Sequence, residues 1–230
     1  MNITLLPGLD GTGHLFSFLR RHIPSSIPVE QYGLLQVKGM SYRDQAEDIL
    51  ARLNKDKAYI LIAESYSGRI AYEMSLMAKN GQIRHIVFAA SFLGKPSYLS
   101  QLASLLPIAL VKKQWIPKVL VSGFLFGWHQ REVTQVFYKA LHETDSGVLR
   151  YRLEQVSKLK LPNQILSVPC TYIQAKHDNL VSPKAVEDFK VCCPELTVHQ
   201  VPGKHFILQT QALECWKIIE SVIGQLIVDR

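Results

Sequence analysis

Six short runs of apolar and β-branched residues, at 2–7, 29–36, 58–63, 83–90, 170–175 and 196–201, alternate with longer segments of helical period. That alternation restricts the chain to an α/β architecture, a mostly parallel sheet of about six strands with helices on its faces. Helices are expected at 14–22, 41–54, 67–80, 184–190 and 206–225, the second opening on Ser41 with Asp44 three residues on, close to a capping box. The rhythm breaks once. Residues 95–160 carry helical stretches rich in Leu, Val, Phe and Trp, punctuated by Pro96, Pro107, Pro117, Gly123 and Gly127, with no strand pattern. The block reads as a helical cap inserted into one domain built from residues 1–94 and 161–230, and 230 residues suffice for a core in a single α/β unit.

Composition narrows the function classes. With 47% hydrophobic and 20% charged residues the chain is ordinary globular material. Its longest apolar stretch, 102–111, stops at Lys112 and Lys113 and reaches about half the length of a bilayer span, so no transmembrane segment is expected. The opening "MNITLLPG" does not read as a secretory signal, and the four cysteines, 170, 192, 193 and 215, have no C-x-x-C spacing. Reduced thiols and a cytoplasmic location are the expectation. The net charge of +7 is spread along the chain rather than clustered with aromatics, and no nucleic-acid-binding signature is present. No nucleic-acid partner is therefore expected, while an acidic acyl carrier protein or a polar lipid stays open as a partner.

The stretch "LLPGLDGTGHLF" (5–16) sets three glycines after the first apolar run, where a turn usually receives negative charge. A P-loop would require Lys and Ser/Thr after its last glycine, and His14 stands there instead. A dinucleotide fingerprint starting at Gly11 would put Phe16 where a glycine must let helix and strand approach. The decisive stretch is "ILIAESYSGRIAYEMSLMA" (60–78), a strand that turns through Ala63-Glu64-Ser65-Tyr66-Ser67 into a helix. This is small-x-Ser-x-small, the pattern of a nucleophile elbow. A serine hydroxyl needs a base, and the base an orienting acid. Asp178 follows the strand at 170–175 and His205 follows the last strand, so in a parallel sheet all three emerge at the C-terminal strand ends. In such an architecture the loop after the first strand supplies one oxyanion-hole amide, which makes the backbone N–H groups of Leu9 and Tyr66 the expected donors.

With these motifs in this order the chain resembles the α/β-hydrolase superfamily, in particular small bacterial lid-bearing esterases similar to carboxylesterases and the pimeloyl-carrier-protein methyl esterase. "LPGLDGTG" with "AESYSG" also looks like the hydrolase part of plant phytyl ester synthases. The resemblance spans nearly the whole chain and implies that the block at 95–160 is the lid. Two departures stand out: Pro7 replaces the histidine that usually precedes the oxyanion glycine, and the family's first two strands are missing, which implies a trimmed six-stranded sheet.

Other candidates read more plainly. His14 is expected as a solvated first-turn residue, His177 as pointing away from Asp178, Asp10 as a turn residue, and Glu64 as structural within the elbow or tuning the field at Ser65. His129, His142, Glu132 and Glu143 fit no ligand spacing, so neither a metal nor a cofactor is expected. Asp178 is preferred as the acid over Asp145 and Asp188. Leu99, Leu102, Leu105, Leu106, Ile108, Leu110, Trp115, Leu120, Phe124, Phe126 and Trp128 give the block its apolar character, as lid core or as the wall of an acyl pocket. The reading is a serine hydrolase of a carboxylic ester or thioester with an apolar acyl group. Acyl transfer from the same acyl-enzyme, a lyase using the triad for proton abstraction, and a non-catalytic ligand-binding protein are the alternatives.

Overall fold

The structure, a computed structural model, describes residues 1–96 and 115–228. Six strands, β1 (Asn2–Leu6), β2 (Val29–Gln31), β3 (Tyr59–Glu64), β4 (Ile83–Ala89), β5 (Cys170–Ala175) and β6 (Leu196–Val201), form one sheet in the order β2-β1-β3-β4-β5-β6. Every neighbouring pair is parallel. All six strands therefore end at the same edge, and each loop that leaves that edge can reach a common site.

The sheet is buried on both faces, and the period of two along each strand divides its residues between two cores. On β3, Tyr59, Leu61 and Ala63 join one core while Ile60 and Ile62 join the other. The first core is closed by α2 (Tyr42–Arg52), α3 (Ser67–Met77) and α7 (Lys184–Cys192), through residues such as Ile49, Ile70 and Phe189. The second is closed by α1 (Ser17–Arg20), α8 (Ile207–Thr210) and α9 (Ala212–Val228), through Leu19, Leu208, Trp216 and Ile219. The expected capping box is formed at the start of α2: the Ser41 hydroxyl accepts from the Asp44 N–H at 3.2 Å, and the Asp44 carboxylate accepts from the Ser41 N–H at 2.7 Å.

Between β4 and β5 the described residues form α4 (Lys118–Leu125), α5 (Arg131–Glu143) and α6 (Ser146–Lys158), with Asp145 capping α6 by accepting from the Val148 N–H at 2.9 Å. Leu99, Leu102, Leu105, Leu106, Ile108 and Leu110 lie outside the described residues. Of the remaining apolar candidates here, Phe126 is buried against Phe137 and Phe206, whereas Trp115, Leu120, Phe124 and Trp128 are exposed. Among the described residues no helix is long and apolar enough to cross a membrane.

Three expected elements depart from their patterns, the first being the helix expected at 14–22, which is a 3-10 turn at His14–Phe16 followed by only four α-helical residues, Ser17–Arg20. The run at 29–36 pairs as a strand only over Val29–Gln31, because the chain then leaves the sheet: the Leu34 N–H donates to the Gly11 carbonyl at 2.8 Å. The final helix is broken at Gln211, which separates α8 from α9. Phe189 of α7 packs on Phe88 and Tyr172, with ring centroids 4.4 and 4.9 Å apart. Phe189→Ala is expected to lower stability by about 3–5 kcal/mol, seen as a lower urea midpoint with an unchanged m-value.

Candidate functional site

Ser65 sits at the end of β3 with φ 48°, a left-handed conformation uncommon for a residue with a side chain. Its backbone is held on both sides. The Ser65 N–H donates to the Ala89 carbonyl at 3.0 Å, and the Ser91 hydroxyl donates to the Ser65 carbonyl at 2.6 Å. The turn also explains its small neighbours: a Cβ on Gly68 would lie 1.8 Å from the Ser91 hydroxyl oxygen. Ser67, fully buried where a glycine is usual, donates its hydroxyl to the Pro7 carbonyl and ties the elbow to the loop after β1.

The loops after β5 and β6 bring the other two expected residues to Ser65. His205 Nε2 lies 2.9 Å from Ser65 Oγ, and its Nδ1 lies 2.8 Å from Asp178 Oδ2 and 3.1 Å from Oδ1. The Asp178 carboxylate makes Nδ1 the protonated nitrogen, so Nε2 accepts from the serine. Asp178 is itself fixed by the N–H groups of Leu180 and Val181, at 2.8 and 2.9 Å. Burial alone would push the Asp178 carboxyl up, but the His205 charge, its hydrogen bond and these amides outweigh it and hold the carboxyl below its usual range. Burial likewise lowers His205, yet attraction to Asp178 and then to Glu64 raises it above an ordinary imidazole. His205 is only 5% exposed, so both charges are shielded from solvent.

Glu64, next to the serine, is buried beneath the site and accepts from Gln209 Nε2 at 2.9 Å. Burial, partly offset by the Gln209 amide, pushes its carboxyl up to about 7. Above it the loop after β1 forms a closed turn in which the Gly8 carbonyl accepts from the Gly11 N–H at 3.1 Å. A trans peptide points its N–H opposite its C=O, so this bond also fixes the direction of the Leu9 N–H. A Cβ on Gly8 would stand 4.0 Å from that of Ser65, which places the turn beside the serine. Asp10 closes the next turn by accepting from the Thr12 N–H and hydroxyl at 2.8 and 2.6 Å. Among the described residues no carbonyl is paired with the Leu9 or Tyr66 N–H.

The structure thus gathers Ser65, Asp178, His205 and the backbone of Leu9 and Tyr66. It places the other candidates elsewhere. His14 contacts Glu143, Glu132 pairs with Arg21, His129, His142 and His177 are exposed, Asp145 is a helix cap, and Asp188 lies on α7. Among the described residues no group of three or more His, Cys, Asp or Glu side chains could hold a metal ion. Four residues around the site carried no sequence signal: Ser91 and Gln209, just described, and Arg152 and Gln155 of α6. Gln155 accepts from the Tyr66 hydroxyl at 2.8 Å, while Arg152 donates to the Leu9 and Asp10 carbonyls.

A strained serine after β3, an acid after β5 and a histidine after β6 on this sheet define the α/β-hydrolase fold. No protein-family model and no curated protein matches the chain. Solved structures do. A thermophilic esterase from Thermogutta terrifontis superposes with a TM-score of 0.77 at 13% identity, covering 98% of this chain and 90% of its own. The enol-lactonase from Burkholderia xenovorans LB400 gives 0.80 at 12%, covering 96% and 90%. An esterase from Exiguobacterium antarcticum gives 0.76 at 15%, covering 98% and 91%. At these identities the likeness establishes the fold.

The surroundings of His205 give it a testable titration. Its imidazole resonances should titrate above the ordinary histidine value, and Glu64→Gln, which removes one of the negative charges that raise it, should move the midpoint down. Gly68→Ala should lower the melting temperature, since the new methyl must displace Ser91 from the Ser65 carbonyl.

Proposed function

We propose that the protein is a serine hydrolase that cleaves a small carboxylic ester or acyl thioester through an acyl-enzyme on Ser65. The observation that carries this reading is the unbroken hydrogen-bond chain Ser65–His205–Asp178 at the C-terminal strand edge. Ser65 attacks the carbonyl carbon as His205 Nε2 takes its proton. Asp178 holds the imidazole and stabilises its cation. The oxyanion is met by the N–H groups of Leu9 and Tyr66, and the protonated His205 hands its proton to the departing alcohol or thiol. Water then attacks the acyl-enzyme by the same steps in reverse order of roles. Esterases and a lactonase among the structures of like fold agree with this chemistry.

The block at 95–160 acts as the lid over a core made of residues 1–94 and 161–230. Its docking on the site through Phe126 and Phe137, which pack against Phe206 beside His205, favours an apolar acyl group. The four thiols are buried and unpaired, in keeping with a reducing, cytoplasmic compartment.

Labelling with a fluorophosphonate tests the reading. The wild type should form an adduct on Ser65, located by peptide mass, and Ser65→Ala and His205→Ala should form none and lose on the order of 10⁴- to 10⁶-fold in kcat. On p-nitrophenyl esters kcat/KM should fall as pH drops through the raised His205 value, since only the neutral imidazole accepts the serine proton. Folded wild-type protein that stays unlabelled and hydrolyses no ester of any acyl length would overturn it.

A further inference from the structure

Arg152 is 1% exposed, among the most deeply buried large side chains of the described residues, and no carboxylate there forms an ion pair with it. A buried cation without a counter-ion is costly, and an apolar side chain would fill the same space more cheaply. What it does hold is backbone. One terminal guanidinium nitrogen, Nη1, donates to the Leu9 carbonyl at 2.8 Å and the Asp10 carbonyl at 3.1 Å; the other terminal nitrogen, Nη2, donates to the Leu35 carbonyl at 3.1 Å. Gly11 is shaped around this contact: at φ 73° a Cβ there would lie 2.6 Å from Arg152 Nη1.

The peptide geometry gives the contact a direction. The Asp10 carbonyl and the Gly11 N–H belong to one peptide unit, and the Gly8 carbonyl and the Leu9 N–H to another. The two units are joined by the Gly11 N–H to Gly8 carbonyl bond of 3.1 Å. A charge-assisted bond at the Asp10 carbonyl therefore orients and polarises the Gly11 N–H, which does the same to the Gly8 carbonyl, which ends in the Leu9 N–H. One turn further along the same face of α6, Gln155 accepts from the hydroxyl of Tyr66, the residue that carries the other proposed donor.

We propose that Arg152 is a positioning residue for the oxyanion hole, its guanidinium acting on the Leu9 N–H through the peptide relay of Asp10–Gly11 and Gly8–Leu9. The inference rests on the serine-hydrolase reading. It assigns to α6 a part in setting the chemical step as well as in covering the sheet.

The closing experiment separates the two. Wild-type protein is first labelled with a fluorophosphonate; an unlabelled wild type overturns the hydrolase reading, and this inference with it, before any Arg152 variant is made. With labelling established, Arg152→Met and Arg152→Lys are compared by labelling rate, by kcat and KM on a short p-nitrophenyl ester, by affinity for a trifluoromethyl ketone whose adduct carries the oxyanion, and by thermal melting. Loss of a whole oxyanion donor costs about 10²- to 10³-fold, so weakening one should lower labelling rate, kcat and ketone affinity together by about 10- to 100-fold in Arg152→Met. KM should move by less than about threefold, as expected for an interaction realised in the transition state. Arg152→Lys, which keeps the charge on a single nitrogen without the planar fork, should recover part of the loss, and it decides the matter if the Met variant does not fold. Unchanged kcat and ketone affinity in a folded variant would overturn the proposal, as would a loss that follows only the folded fraction or appears only in KM.

Discussion

The left-handed turn at Ser65 is the constraint around which the rest of the site is arranged. A non-glycine residue held at φ 48° costs on the order of 1–3 kcal/mol and persists only where its surroundings over-determine it. They do so here from three sides: Ala89 receives the Ser65 N–H, Ser91 fills the Ser65 carbonyl, and Ser67 binds the loop after β1. Each of these partners stands at or just beyond a strand end. The parallel register of β1, β3 and β4 is therefore what keeps the strained serine in place.

A second demand follows from burial. Glu64, Asp178, His205 and Arg152 all lie in or under a site largely closed to water, where unpaired charge is expensive. Three are answered by pairing, Asp178 with His205 and two amides, and Glu64 with Gln209. Arg152 is answered by three carbonyl oxygens and by the Tyr66 ring, whose centroid lies 5.8 Å from its guanidinium carbon. The result is a site whose backbone dipoles are fixed from both above and below. The Gly11 N–H holds the Gly8 carbonyl at one end of the Gly8–Asp10 segment and Arg152 takes the carbonyls at the other, so the turn has little freedom to rotate its peptides.

Much of this was legible in the sequence, for reasons that differ by residue. The strands at 170–175 and 196–201 match their patterns because both are short apolar runs bounded by turns, and Asp178 and His205 follow from where those strands end. The elbow was readable although Ala63 and Ser67 replace its usual glycines, since smallness is what the close backbone approach requires. The run at 29–36 misled because its later residues are apolar for another purpose: they turn away to receive the Gly11 loop, where Leu34 is buried. Arg152 was invisible. In "GVLRYRLEQVSK" an arginine at helical spacing looks like a solvated charge, and nothing local distinguishes it from Arg150, which is exposed. Only the tertiary approach of α6 to the loop after β1 decides which of the two is buried.

That approach limits how freely α6 can move from the sheet. If α6 swung away from the sheet, the Leu9, Asp10 and Leu35 carbonyls would lose their shared donor, and the Tyr66 hydroxyl would lose Gln155. A buried carbonyl left without its donor costs about 1–3 kcal/mol, so opening by α6 would be both costly and disruptive to the proposed oxyanion donors. α6 and the loop after β1 are in this respect one structure. α6 is thereby tied to the loop after β1 and to Tyr66, beside the serine.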